Sequence, residues 1–136
     1  MIQFAVAFAT GALLGANLGD DLLALLLVMV SFTLCVTSLA LLLANFVERE
    51  EQASSITTFV VLVAAPIGGA WWPLEVVPDF MQTLALLSPI GWAMDAFNEL
   101  MFYGGSLVDV IPSIVVLTAV AAVLFGIGVR QFSYTD

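Results

Sequence analysis

Residues 22–47 of the chain read LLALLLVMVSFTLCVTSLALLLANFV, an apolar run of 26 residues without a charged side chain. A helix of about 20 residues crosses the hydrocarbon core of a bilayer, so this run predicts a transmembrane helix with room for tilt. Outward from it, residues 56–72 and 110–129 form two further apolar runs, and residues 4–18 form a shorter one. We therefore expect an all-α integral membrane protein with three full transmembrane helices and a partial N-terminal one.

The composition of the whole chain agrees with lipid as its solvent. Of the 136 residues, 62% are hydrophobic and only 10% are charged, and the mean hydropathy is +1.16. Soluble domains carry about 25% charged residues, and a small domain has too much surface to be covered by so few. The net charge of −9 also argues against nucleic acid as a partner, because binding to phosphates requires basic patches.

The residue types present restrict the chemistry available to the chain. It contains no His and no Lys, which excludes a Ser-His-Asp triad and a His-ligated metal. Its single cysteine, Cys35, cannot form an internal disulfide and is expected to be a small buried hydrophobe. We expect no cofactor, no metal site and no catalytic residue. An intramembrane enzyme using the acids of residues 73–109 is a competing hypothesis, but no nucleophile–base pair accompanies them.

The basic residues set the direction of the spans. If the apolar runs alternate across the membrane, Arg49 and Arg130 lie on one side, and the long connection 73–109 lies on the other. The positive-inside rule then makes the arginine side cytoplasmic, so we expect a multi-pass cell-membrane protein with a cytoplasmic C-terminus. The connection 73–109 is expected outside.

The long connection is predicted to contain two short helices rather than a plain loop. Pro78 precedes a helix over residues 79–87, Pro89 lies beyond its end, and a second helix covers residues 92–102. Two short apolar helices joined at a proline favour a re-entrant or interfacial hairpin. Trp71, Trp72 and Trp92 are expected at headgroup depth, because indole rings favour that interface.

One face of the second short helix carries Asp95, Asn98 and Glu99 at spacings of three and four residues. A solvated outer surface is the simpler interpretation of these acids. The alternative is an exit face, formed by Asp95 and Glu99, that disfavours anionic cargo.

Small and polar residues within the runs suggest how the helices pack. Gly11, Gly15 and Gly19 repeat every four residues, which allows close helix packing either within the chain or at a subunit interface. The hydroxyls of the spans are expected to bond to carbonyls one turn back, or else to form a weakly polar translocation wall. Pro66, followed by two glycines, should break or bend the 56–72 helix, and the freed backbone should be buried in protein.

Two stretches then form a recognisable pattern. Residues 69–82 read GAWWPLEVVPDFMQ, and residues 84–97 read LALLSPIGWAMDAF. They resemble the last outer connection of ABC transporter permeases of the type-2 export family. The positions that carry the resemblance are Gly69, Trp72, Pro73, Leu74, Glu75, Pro78, Phe80, Gln82, Pro89 and Trp92.

The resemblance implies that the chain corresponds to the third to sixth helices of a six-helix permease. Residues 1–136 would then be one membrane domain, the C-terminal portion of such a permease. The resemblance also implies ATP-driven export, with an ABC ATPase subunit supplying the energy and a second permease copy completing a dimer in the lipid bilayer. The alternative is a small structural or regulatory membrane protein that packs against other membrane helices.

Overall fold

The computed structural model describes residues 2–15, 20–47 and 50–132, and every regular element in those ranges is a helix. The predictions for Gly19, for Arg49 and for the tail beyond residue 132 concern positions outside the described residues. The helices are α1 (Ile2–Leu13), α2 (Leu22–Ala44), α3 (Glu50–Ile67), α4 (Asp79–Ala85), α5 (Pro89–Met101) and α6 (Leu107–Phe132), with a single 3₁₀ turn at Leu74–Val76.

Two of the described helices, over Leu22–Ala44 and Leu107–Gln131, are long and apolar enough to cross a membrane. The sequence predicted three such helices and part of a fourth. α3 has 18 residues, about 27 Å at 1.5 Å per residue, against a hydrocarbon core of about 30 Å. α1 has 12 residues, about 18 Å by the same arithmetic.

The ends of α3 explain its shorter length. It begins at Glu50, six residues before the predicted run, and it ends at Ile67 rather than continuing to the tryptophans. Pro66 lies in its last turn, and Gly69 follows with a φ of +76°, a left-handed conformation that suits glycine. Gly68 and Gly69 are buried, so the predicted break and its burial are both confirmed.

The core of the fold is the packing of α2 against α6. Leu25 and Val28 of α2 are buried with Val110 near the start of α6, and Cys35 is buried with Leu117 farther along. The start of α2 therefore packs against the start of α6, and the middle of α2 packs against the middle of α6, so the two helices run parallel. Cys35 is 1% exposed, as expected for a small buried hydrophobe.

The hydroxyls inside α2 bond to their own helix. Ser31 Oγ donates to the carbonyl of Leu27 at 2.8 Å, and Ser38 Oγ donates to the carbonyl of Leu34 at the same distance. Thr33 forms the equivalent bond to Met29 at 2.7 Å. The predicted back-bonding is confirmed, and it leaves these hydroxyls satisfied in an apolar setting.

Hydrogen bonds join α2 and α6 at both ends. The carboxylate of Asp21 accepts from Ala24 N through Oδ1 and from Leu107 N through Oδ2, each at 3.0 Å. It therefore caps the first turns of two helices at once. At the opposite end, Asn45 Nδ2 donates to the carbonyl of Gly128 at 3.1 Å.

α6 begins three residues before the predicted run because its first turn has a cap of its own. Ser106 donates to Asp109 Oδ2 from its backbone N–H at 2.8 Å and from its hydroxyl at 2.9 Å. Asp109 thereby closes a turn around the helix start, in the manner of a capping box. As a result Pro112 lies inside the helix rather than in its first turn.

The double cap predicts that Asp21 contributes far more to stability than its neighbour Asp20. Asp21→Ala leaves two helix starts without an acceptor, and we expect a loss of about 2 kcal/mol in the free energy of unfolding. The measurement is unfolding of the purified protein in detergent, followed by circular dichroism. Asp20→Ala removes an exposed carboxylate of equal charge and should leave the transition nearly unchanged. Equal losses in the two variants would contradict the double cap.

Candidate functional site

The candidate site is the hairpin formed by α4 and α5, which enters the α2–α6 pair. Ala93, near the start of α5, is buried with Cys35 in the middle of α2. Leu100, near the end of α5, is buried with Ala24 at the start of α2. α5 therefore runs antiparallel to α2, and the tip of the hairpin, residues 86–90, lies at the middle of α2. The choice between a re-entrant and an interfacial hairpin stays a prediction.

Short-range hydrogen bonds shape the tip of the hairpin. Ser88 Oγ accepts from Ile90 N at 3.2 Å and caps α5, while Pro89 occupies the first turn of that helix, where its missing N–H is harmless. α5 therefore begins three residues before the predicted Trp92. The signal was present in the sequence, because a serine followed by a proline is typical of a helix start.

The headgroup depth expected for Trp92 stays a prediction, and the structure gives its neighbours in the protein. Trp92 packs beside the cluster that contains Cys35, near the start of α5. Its indole N–H donates to the carbonyl of Leu86 at 2.8 Å, so the ring needs no polar headgroup as a partner. Trp71 and Trp72 pack edge to face with ring centroids 5.9 Å apart, and both are substantially exposed.

Glycines allow three segments to meet at the tip. A Cβ added at Gly91 would lie 2.1 Å from the carbonyl oxygen of Ala85, so α4 and α5 approach at backbone distance there. A Cβ added at Gly68 would lie 2.5 Å from the Cβ of Ile90, which brings the end of α3 against the tip.

The remaining positions of the resembling stretch build the end of the hairpin opposite its tip, termed the outer end of the hairpin. Val76 N donates to the carbonyl of Pro73 at 3.2 Å, closing the turn that contains Leu74. Pro78 precedes α4 and accepts in its first turn, and Gln82 Nε2 donates to the carbonyl of Val77 at 3.1 Å. The phenol of Tyr103 donates a hydrogen bond to Glu75 Oε1, which joins this segment to the end of α5.

A polar cavity of about 470 Å³ opens at this outer end. Asp95 and Asn98 of α5 line it together with acids from the segment before them. Glu99 is placed differently, since its side chain packs against Gly105, where an added Cβ would lie 2.6 Å from Glu99 Cγ. The full lining is Glu75, Asp79, Gln82, Thr83, Leu86, Asp95, Asn98 and Tyr103. Of the two predicted exit-face acids, the structure therefore brings only Asp95 into the cavity.

Electrostatics at the cavity act on Tyr103. The hydrogen bond to Glu75 and the negative charge of that carboxylate raise the pKa of Tyr103 above its ordinary value, with smaller contributions from Glu99 and Asp95. The phenol is therefore protonated and able to donate at neutral pH. Among the described residues, no group of three or more Cys, Asp or Glu is placed to hold a metal ion.

The predicted glycine stripe does not lie on one helix. α1 ends at Leu13, and Gly15 follows it with a φ of +70°. No atom of the described chain lies within 4 Å of a Cβ added at Gly15. Gly11 remains within α1, and packing through these positions stays a prediction.

A helical hairpin packed against two parallel helices, each long and apolar enough to cross a membrane, is typical of a helical membrane protein. The chain belongs to the ABC-2 family transporter proteins, which it matches over residues 1–130. This membership and its apolar helices place it in a membrane.

The chain is also similar to a curated bacterial permease protein. The chain is 31% identical over 130 residues to the linearmycin resistance permease protein LnrN of Bacillus subtilis (strain 168). The match covers 95% of this chain and 34% of that protein, so the chain spans about a third of its relative's length. No solved structure matches the chain significantly.

The close contact at the tip predicts that Gly91 cannot be enlarged. Gly91→Ala forces a methyl group onto the Ala85 carbonyl, and we expect a loss of about 1–3 kcal/mol in the free energy of unfolding. The matched control is Gly126→Ala, because an added Cβ there meets nothing within 4 Å and alanine favours the helix. Thermal unfolding in detergent measures both variants. Equal stability of the two would show that α4 and α5 do not meet at Gly91.

The contact between Glu75 and Tyr103 predicts a pH effect. We expect Glu75→Gln to lower the pKa of Tyr103 toward its ordinary value, as measured by tyrosinate absorbance in a Tyr134→Phe background. The stabilisation from this contact is complete below the ordinary pKa and is lost as the pH rises through the raised one. Asp20→Asn is the control and should leave the titration unchanged. An unaltered Tyr103 titration in the Glu75→Gln variant would contradict a contact between Glu75 and Tyr103.

Proposed function

We propose that the chain is a membrane-spanning part of an ATP-driven ABC exporter, that it forms part of the substrate pathway, and that a separate ATPase powers it. The family match over residues 1–130 is the observation that carries this proposal. The apolar runs that form α2 and α6 support it, because they contain no charged relay of the kind that ion-driven transporters use. Uncharged membrane helices of this kind are consistent with a driving force that another subunit supplies.

The proposed topology has three crossings, preceded by part of a fourth in α1. The parallel direction of α2 and α6 supports it, because two spans that run the same way require a crossing in the opposite direction between them. α3 begins five residues after Asn45, and the segment that follows it reaches Tyr103 through Glu75. Because Asn45 and Tyr103 lie at opposite ends of the α2–α6 pair, α3 and the segment 68–78 together make the return crossing.

The orientation places the outer end of the hairpin outside the cell. Arg130 lies in the last turn of α6, at the same end of the helix pair as Asn45, and Arg49 follows Asn45 closely in sequence. The positive-inside rule therefore favours a cytoplasmic C-terminus. In this arrangement the chain maps onto the third to sixth helices of a six-helix permease, and a second copy completes a dimer.

The name of the relative suggests the first cargo to test. LnrN is a linearmycin resistance permease protein, and we propose efflux of a toxic compound as the role of this chain, with linearmycin as the trial substrate. Cells that express the chain together with its ATPase subunit should survive higher linearmycin concentrations. The same cells with an ATPase unable to hydrolyse ATP should not.

A second candidate role is a structural or regulatory membrane protein. The exposed apolar side chains of α1, with Ile2 82% and Leu13 88% exposed, favour contact with other helices. Purification of the tagged chain in mild detergent separates the two roles. Recovery of an ABC ATPase supports the exporter, whereas recovery of a different membrane complex without an ATPase supports the alternative.

The acids at the outer end carry a finer proposal, namely that Asp95 disfavours anionic cargo. Asp95 lines the outer cavity and Glu99 does not. We therefore expect Asp95→Asn to raise export of an anionic compound relative to a neutral one, because a repelling charge is removed. Glu99→Gln is the matched control and should change this ratio much less. If the ratio of anionic to neutral export were the same in both variants and in the unaltered chain, the proposal would be contradicted.

The topology makes a direct labelling prediction. In a Cys35→Ser background, single cysteines are introduced and intact cells are treated with a membrane-impermeant thiol reagent. Cysteines replacing Asp79 and Ser106 should be labelled, because the proposal places them outside. Cysteines replacing Gln52 and Ser133 should be labelled only after the cells are opened. The reverse pattern would invert the topology and contradict the outer position of the hairpin.

A further inference from the structure

A cavity of about 380 Å³ lies between α2, α3 and the tip of the hairpin. Phe32 and Val36 of α2 form one wall, Val60 and Ala64 of α3 form another, and Ser88 and Ile90 of the tip close one end. Its size is within the range of about 300–1,000 Å³ for small-molecule sites. It is separate from the polar cavity at the outer end, with which it shares no lining residue.

The chemistry of the lining favours an apolar occupant. No charged side chain lines the cavity. Three hydroxyls lie in the lining, those of Thr33, Thr37 and Ser88. The hydroxyl of Thr33 donates to the carbonyl of Met29, and that of Ser88 accepts from Ile90 N, while the other lining side chains are apolar. A buried water requires two to four polar partners, and the walls formed by Phe32, Val36, Val60, Val61 and Ala64 offer none. The lining is therefore suited to hydrocarbon.

The position of the cavity identifies the source of that hydrocarbon. Phe32 lies ten residues beyond the start of α2, about 15 Å along the helix and thus close to the middle of a bilayer core about 30 Å thick. The cavity borders α3, whose Val61 lines it and is also 54% exposed on the outer surface of the chain. At that depth, the molecules that surround an exposed helix are the acyl chains of lipids.

We propose that this cavity holds the acyl chain of a bilayer lipid, which enters laterally beside α3. The site goes beyond the export role and does not depend on the identity of any cargo. A second cavity of about 350 Å³ shares Val60, Ala64 and Ser88 with the first, so the middle of α3 stands off from the tip on both sides. The acyl chain fills the space that side chains leave between α3 and the hairpin.

Photochemical labelling of the full chain in lipid nanodiscs tests the proposal. The probe is palmitic acid that carries a diazirine in the middle of its chain, and adducts are located by mass spectrometry. We expect adducts in residues 32–37, 60–64 and 88–90 at a yield several-fold above that on the exposed α6 residues Val115 and Val123. Excess unlabelled palmitic acid should suppress the first group and leave the α6 adducts largely unchanged.

Two variants fill the cavity from opposite walls, so that a folding defect in one does not end the test. Ala64→Phe and Val36→Phe should each reduce the cavity adducts several-fold, whereas Val123→Phe, on the outer face of α6, should not. Equal yields at the cavity and on α6, without suppression by unlabelled palmitic acid, would mean that only annular lipid is present and would overturn the proposal. Adducts on α6 with none in the cavity would also overturn it, because another protein segment would then fill the space.

Discussion

The carboxylate of Asp21 joins the starts of α2 and α6, and most of the described fold depends on that connection. Its Oδ1 accepts a hydrogen bond from the first turn of α2, and its Oδ2 accepts one from the first turn of α6. The starts of the two helices are therefore held at the same level. The bond from Asn45 to Gly128 holds the other ends level as well. Because the two helices are fixed in this way, the position of the hairpin along them can be stated from the residues of α2 and α6 that it contacts.

The hairpin takes its depth from that pair. Small residues on α5, namely Ala93 and Ala96, are almost fully buried and let the helix lie close to both α2 and α6. The tip is closed by the backbone approach at Gly91 and by the cap at Ser88. Polar groups are distributed accordingly, since three acids and two amides line the cavity at the outer end, whereas no charged side chain lines the cavity at the tip. This division suits a structure that meets water at one end and hydrocarbon at the other.

Much of this architecture could be predicted from the sequence, because lipid constrains a chain strongly. The 26-residue apolar run required a helix, and Pro66 with the glycines after it required an end to α3. The choice of partner could not be predicted. α2 is apolar on all sides, so nothing in its pattern shows which face meets α6. Asp21 looks like Asp20 in the sequence, and only the fold distinguishes the capping carboxylate from the exposed one. The partner of the Trp92 indole could not be predicted either, because the carbonyl of Leu86 comes to it only through the turn of the hairpin.

The pairing of α2 with α6 also has a consequence for the biosynthesis of the chain. The bond from Leu107 to Asp21 joins residues 86 positions apart, and the bond from Asn45 to Gly128 joins residues 83 apart. At a synthesis rate of about 5–20 residues per second, the ribosome reaches Leu107 roughly 4–17 s after Asp21. During that interval α2 sits in the membrane without its principal neighbour, and its buried face must be covered by lipid or by an insertion factor. The native assembly is therefore completed only when the last helix emerges, and a chain interrupted before α6 would leave α2 and the hairpin without their common partner.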